Sequence, residues 1–395
     1  MEKVEKIMET DLTYLEAVEK YPNFPKFIIL KLDLYRRGLV HSEEVTEKFG
    51  KYPGPIVLRD GTSVLTAAGE CMPDHYTTRL YDDRLAIFYN GQFIEEAEFS
   101  PKPFFYGKKT SSGTPMESIG MTRPQVLNIW TTQYCSFWEG GNGCKFCSAN
   151  VFLKERLKGR ESLLNMRDLS EIVAEALKEP GRLSMINLTG GADPKGDEPF
   201  DSELNRYIGI LQAIGENFSS RRFPSQLLCC SMTKKQVKRL YDETKALTYC
   251  ADIEVWDKEL FKWVCPGKEK FVGWDNWIKN LIDAVEIFGK SNVATNIVAG
   301  CEIVEPYGFK TADEALKSNF EGCEYLAKHG VAMMGLVFRP VKNSPFHKKN
   351  QPSLEYYIKL TKGLHDIRAA YGLNADLDDY EHCGNHADSD LCRID

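Results

Sequence analysis

From Gln125 onwards the chain alternates between short apolar runs and longer stretches whose apolar residues recur every three to four positions. The runs "QVLNIW", "RLSMINLTGG", "SQLLCCSM", "LTYCADIEVW", "NVATNIVAG" and "VAMMGLVFRP" predict strands. The stretches between and after them predict helices. In "GWDNWIKNLIDAVEIFG" the residues Trp277, Leu281, Val285 and Phe288 share one helical face and Gly289 ends it. In "TKKQVKRLYDET" Thr233 is placed to cap the helix start. Strand then helix, six times, predicts a parallel sheet with right-handed crossovers. Six units suit an open, partial (β/α)6 TIM barrel of the α/β class, whose functional groups belong on the loops after the strands' C-terminal ends.

The pattern ahead of this repeat is different. Residues 1–45 read as helices, and residues 52–120 as short strand pieces and turns. In "YNGQF" an Asn-Gly pair supplies the positive φ angles of a two-residue hairpin. The reading therefore divides the chain into a small N-terminal α+β appendage (1–120), the (β/α)6 core (121–372) and a C-terminal tail (373–395).

Composition narrows the classes. With 395 residues, 43% hydrophobic and 27% charged, the chain has the make-up of a globular protein. A formal net charge of -7 argues against nucleic acid or an anionic membrane as a general partner. No apolar run approaches the ~18 residues that span a bilayer. The charged start "MEKVEKIMETDLTYLEAVEK" lacks the apolar centre of a signal peptide, so a cytoplasmic location is expected. There is no Gly-rich phosphate loop and no dinucleotide fingerprint.

Candidate chemistry concentrates in "YCSFWEGGNGCKFCSAN", directly after the first strand of the repeat. It holds Cys135, Cys144 and Cys147 among glycine, asparagine and lysine. A structural zinc site wants four ligands. Three thiolates can instead hold three irons of a [4Fe-4S] cluster and leave the fourth open; a zinc site completed from elsewhere, or unliganded thiols, are the alternatives. The cysteines at 71, 229, 230, 250, 265, 301 and 323 lie mostly in apolar runs and read as small buried hydrophobes.

A three-cysteine loop after strand one of a six-unit barrel resembles the radical S-adenosylmethionine (SAM) superfamily. The likeness covers roughly residues 125–372 and departs from the commonest C-x3-C-x2-C spacing, which here is C-x8-C-x2-C. It implies that Cys135, Cys144 and Cys147 hold a [4Fe-4S] cluster whose open iron chelates SAM, with Phe146 packing beside the adenine. It also implies SAM contacts from the turn "NLTGGADP": Gly190 and Gly191 match the family's Gly-Gly-Glu turn, while Ala192 replaces the usual Glu and Asp193 follows. The strand-four region resembles the biotin synthase, HydE and PylB branch, which assigns SAM contacts to Glu254 and to Lys268 or Lys270. Arg339, at the end of strand six, suits an anionic substrate or the SAM carboxylate. Asn296 and Glu302 are weaker candidates around strand five.

The tail gathers His382, Cys383, His386 and Cys392, all competent for metal. It reads as a second metal site, as a barrel plug, or as an acidic tail in solvent. The resemblance implies reductive SAM cleavage to a 5′-deoxyadenosyl radical that abstracts hydrogen from a small substrate, with cofactor biosynthesis as the role by the branch likeness and a one-electron donor such as flavodoxin or ferredoxin. The alternatives are a methyl- or thio-transferring member of the superfamily, and a non-catalytic iron–sulfur or zinc carrier on the same scaffold.

Overall fold

The computed structural model describes residues 11–50, 54–65, 73–132, 134–148, 164–219, 222–373 and 384–394. Six strands form the N-terminal sheet: β1 (Leu39–His41), β2 (Ile56–Leu58), β3 (Ser63–Val64), β4 (Tyr76–Tyr81), β5 (Arg84–Tyr89) and β6 (Gln92–Phe99), in the order β1-β4-β5-β6-β2-β3. Asn90 and Gly91 link β5 to β6 with φ of 48° and 79°, the hairpin that their sequence demands. Strand β1 lies inside the stretch expected to be helical; its three residues are too few to carry a period-two signal.

The second half alternates. Strand β7 (Gly120–Arg123) runs antiparallel to β8 (Val126–Trp130), and β8, β9 (Met185–Thr189) and β10 (Ser225–Leu227) are parallel. A second parallel sheet holds β11 (Tyr249–Cys250), β12 (Val293–Ala299) and β13 (Val331–Val337). Isolated parallel bridges, Phe223 to Ala246 and Leu228 to Cys250, join the two sheets. The result is a mixed α/β half-barrel with helices Met166–Ala176, Asp201–Gly215, Lys234–Glu243, Trp274–Phe288, Ala312–Lys328 and Leu354–Ala370 between and after the strands. Thr233 caps its helix through a full capping box with Gln236, and Gly289 ends the helix that begins at Trp274. Strand four is shorter than expected. Beyond Cys250 the regular ladder with β12 gives way to side-chain bonds and the isolated Glu254–Ile297 bridge, where Glu254 turns left-handed at φ 69°.

Side-chain alternation separates two cores. Leu127, Ile129, Ile186 and Leu188 join the large core that packs against the helices. Cys250, Ala294, Ala332 and Met334, with Leu228 against them, form a separate small cluster on the opposite, concave side. The short side chains at 294 and 332 face each other across the β12–β13 ladder.

The described part of the tail, residues 384–394, does not trail away. Helix Ala387–Ile394 packs on β13 and on helices Lys26–Arg37 and Leu354–Ala370. Its Asp390 pairs with Lys31, both side chains fully buried, and Asp388 receives Arg368 Nη1 at 2.6 Å. Helix Lys26–Arg37 thereby joins the N-terminal segment to both the barrel and the tail. Among the described residues no helix is long and apolar enough to cross a membrane.

Candidate cluster-binding site

The three thiols of the loop after β8 are held from three sides. A kinked 3-10 segment, Ser136–Gly141, follows Cys135, and Gly140 and Gly141 take positive φ to reverse the chain before Cys144. On the first side, the turn after β9 presses against Cys135, with Ser136 N–H donating to Ala192 O at 2.8 Å. A Cβ on Gly191 would lie 2.5 Å from both Cα and Cβ of Cys135, and one on Gly190 would lie 2.4 Å from Thr131 Oγ1. The glycine pair thus lets two loops meet backbone to backbone, a steric role distinct from exposing amides to a ligand.

On the second side stand Val264 to Lys268. Lys145 N–H donates to Val264 O and Gly267 N–H to Asn142 O, each at 2.9 Å. A Cβ on Gly267 would meet Phe137 Cγ at 2.5 Å. The buried Cys265 thiol hydrogen-bonds with Cys144, and that bond, followed by burial, pushes the Cys144 thiol well above its ordinary value. Burial also raises Cys135. On the third side, Phe346 N–H donates to Lys145 O at 3.0 Å, tying the loop after β13 to the thiols.

Glu254 and Lys268, expected separately, form one ion pair at 2.7 Å. Burial raises the Glu254 carboxyl to about 7 in spite of Lys268. Burial opposes the charge of Lys268, but Glu254 and the neighbouring Cys144 and Cys265 thiols raise it overall. Lys268 Nζ also hydrogen-bonds the Asp252 carbonyl. The structure separates the two candidate lysines: Lys268 is buried, whereas Lys270 is exposed with its Nζ 5.4 Å from the Phe271 ring centroid.

The other expected residues scatter. Phe146 is half-buried against the main core. Asp193 pairs with Arg206 at 3.3 Å. Arg339 lies over the Tyr35 ring at 5.5 Å, so its guanidinium is engaged by the N-terminal helix. Glu302 is turned into the protein and accepts from Asn319 Nδ2 at 2.8 Å, from Gly300 N–H at 2.7 Å and from Tyr356. Asn296 donates to Asp252. In the tail, His386 is buried and its imidazole falls to about 4 through desolvation, while Cys392 is half-buried. His382 and Cys383 lie outside the described residues.

Sequence reasoning missed Glu203, which is buried and accepts from the N–H groups of Asp193 and Cys230, each at 2.9 Å, bracing the turns after β9 and β10. In sequence it resembles any acidic residue in a first helical turn, so nothing marked it.

Among the described residues no three His, Cys, Asp or Glu side chains converge on a single ion. A cluster asks for a different arrangement, since each thiolate holds its own iron. Three thiols on one loop, with the Lys268 cation beside Cys144 to offset part of the thiolate charge that a bound metal would create, fit such a group. An alanine at Gly191 should force Cys135 away from its place. The expected cost is about 1–3 kcal/mol of stability from overpacking, with iron uptake reduced more than stability. Iron content and thermal unfolding measured on Gly191→Ala check this.

No protein-family profile matches the chain. It is 20% identical over 365 residues, 88% of this chain and 87% of the relative, to bacteriochlorophyllide c C-7(1)-hydroxylase of Chlorobaculum limnaeum. Among solved structures it is similar to HydG, a maturase of the [FeFe]-hydrogenase, at 16% identity and a TM-score of 0.45. That likeness covers 62% of this chain and 49% of HydG, so the chain spans about half of that protein's length. Methylornithine synthase (PylB) aligns at 17% identity and a TM-score of 0.41, covering 63% of this chain and 70% of that one. A radical SAM methyltransferase from Sphaerobacter thermophilus aligns at 15% and 0.43, covering 92% of each.

Proposed function

We propose that this chain, which resembles the radical SAM superfamily in its cysteine loop and in the order of its segments, is a radical SAM enzyme on a partial (β/α)6 barrel. The observation that carries the reading is the lock between the loop of Cys135, Cys144 and Cys147 and the Gly190–Gly191 turn, with the Glu254–Lys268 pair beside Cys144. Cys135, Cys144 and Cys147 would hold a [4Fe-4S] cluster, and Glu254, Lys268 and the turn after β9 would receive SAM. Held there, such a cluster would supply the one-electron reduction that cleaves SAM, for hydrogen abstraction from an enclosed small molecule. The protein's own part is positional. The glycine contacts fix the thiol loop, Lys268 offsets carboxylate and thiolate charge, and the tail helix covers β13. A one-electron donor such as flavodoxin or ferredoxin completes the scheme, and cofactor biosynthesis is the role that the branch likeness favours.

Anaerobic reconstitution with iron and sulfide, followed by dithionite and SAM, tests the reading. Release of 5′-deoxyadenosine supports it, and a cluster indifferent to SAM favours the carrier. Glu254→Gln is expected to weaken SAM binding by roughly 1–3 kcal/mol, the usual size of a lost charge-assisted hydrogen bond, with iron content unchanged. An equilibrium titration that finds the affinity unaltered removes Glu254 from the SAM site.

A further inference from the structure

The loop after β13 is basic in a chain that is acidic as a whole. Residues 339–351, "RPVKNSPFHKKNQ", hold Arg339, Lys342, Lys348 and Lys349 without an aspartate or glutamate, against a net charge of -7 for the full sequence. Arg339 is engaged by Tyr35. The three lysines are exposed, and no ion pair among the described residues involves them. Exposed lysines elsewhere, such as Lys279 and Lys362, contact an aspartate four residues on. The loop is folded tightly: Ser344 N–H donates to Val341 O, His347 N–H to Ser344 O and Lys349 N–H to Phe346 O, so its charges stay together.

This loop adjoins the thiols. Phe346 N–H donates to Lys145 O, and Lys145 N–H to Val264 O. Lys145 is half-buried, has no ion pair among the described residues and so adds its charge to the group, one residue from Cys144. Apolar surface stands beside these cations. The Trp263 ring lies 5.1 Å from both the Phe346 and the Tyr307 rings, and Tyr307, on the loop after β12, is 67% exposed. The acids of the adjoining segments are occupied: Glu259 by Lys262, Glu139 by Tyr134, Glu302 by Asn319 in the interior, and Glu305 by a contact of its own. An exposed aromatic group flanked by uncommitted cations has the make-up of a protein-docking surface.

We infer that this rim, Tyr307 and Trp263 with Lys145, Lys342, Lys348 and Lys349 beside them, docks the acidic face of a one-electron donor protein. That the partner donates an electron rests on the proposed function; the preference for an acidic protein stands on the rim itself. Clustered lysines on a chain of net negative charge steer an acidic partner to one place on its surface. A nucleic acid or an anionic membrane extends past the rim and meets the negative remainder of the chain, whereas a compact protein meets the rim alone. Once docked, the partner lies against the loop of Lys145. It loses one electron, which the group held by Cys135, Cys144 and Cys147 gains, with no bond made or broken.

The test uses the full chain reconstituted anaerobically, with flavodoxin as an acidic one-electron protein and cytochrome c as a basic one. Flavodoxin should bind saturably, about tenfold more weakly at physiological than at low salt, and cytochrome c should not bind. The triple variant Lys342→Glu, Lys348→Glu, Lys349→Glu should weaken flavodoxin binding by about tenfold. Lys102→Glu, Lys109→Glu, Lys328→Glu, an equal change of charge on exposed lysines of other segments, should leave it near the unaltered value. 5′-Deoxyadenosine release driven by reduced flavodoxin should fall with the binding, while release driven by dithionite, which needs no docking, should be unchanged. An equal fall with both reductants would show that the loop acts on the thiols and not on a partner, and the inference fails. Absent flavodoxin binding, binding that survives the rim variant, or an equal loss in the control variant also overturns it, as does tighter binding of anionic lipid vesicles or single-stranded RNA than of flavodoxin. A chain that forms no 5′-deoxyadenosine with dithionite sinks the radical SAM reading and leaves the binding results to decide the docking surface.

Discussion

Cys144→Ser, reconstituted anaerobically with iron and sulfide, is expected to lack the visible iron–sulfur absorbance of the unaltered chain and to release no 5′-deoxyadenosine from SAM. The same loss is expected for Cys135→Ser and Cys147→Ser, since each thiolate would hold a separate iron and a serine hydroxyl is a poor substitute for a soft thiolate. Cys144 is the most informative of the three. It is the residue that the long C-x8-C gap assigns, and its thiol is raised by Cys265 and by burial while Lys268 pulls the other way. Taking up iron must therefore release a proton from a thiol that the metal-free protein keeps protonated. Full iron content and unimpaired SAM cleavage in Cys144→Ser would show that the loop has been assigned wrongly. Cys265→Ser separates a neighbour from a ligand: it is expected to retain iron.

The second large effect lies far from the thiols. Lys31→Met leaves the Asp390 carboxylate buried without its partner, and such a break costs about 3–5 kcal/mol. Replacing both, Lys31→Met with Asp390→Leu, is expected to recover most of that loss, because the pair's attraction mainly offsets its own desolvation. Denaturant unfolding of the single and double variants measures both. A pH dependence accompanies the pair. Burial raises the Asp390 carboxyl from 3.8 to about 6, against the pull of Lys31. The folded state thus binds this proton more readily than the unfolded chain does. The contribution of Asp390 is fully present below about pH 4 and is lost as the pH rises towards about 6, a slope that the double variant should lack.

Both expectations depend on residues of different legibility. The thiol loop stood out because three cysteines in a polar, glycine-rich stretch cannot be mistaken for core. The helices were equally plain, since Trp277, Leu281 and Phe288 are spaced to cover one face and do so. Strand β11 was overread: "LTYCADIEVW" has the alternation of a long strand, but Glu254 breaks the ladder with a left-handed φ that an isolated sequence does not announce. Asp390, in an acidic tail, gave no sign of being buried. Its environment comes from Lys31, some 360 positions away, and no local pattern encodes a partner at that separation.

By itself the sequence determined the periodic elements, their order, the turn at Asn90–Gly91 and the types of residue available for chemistry, because these follow from spacing and backbone preference over a few residues. Tertiary structure decided which of those residues meet. It placed Gly191 against Cys135, joined Glu254 to Lys268, drew Arg339 onto Tyr35 and folded the tail helix over β13. It also left Asn296 Oδ1 buried and unsatisfied beside Asp252. The physical reason is that burial, ion pairing and steric fit depend on how separate elements pack, and each is a property of two or more distant segments and not of either one alone.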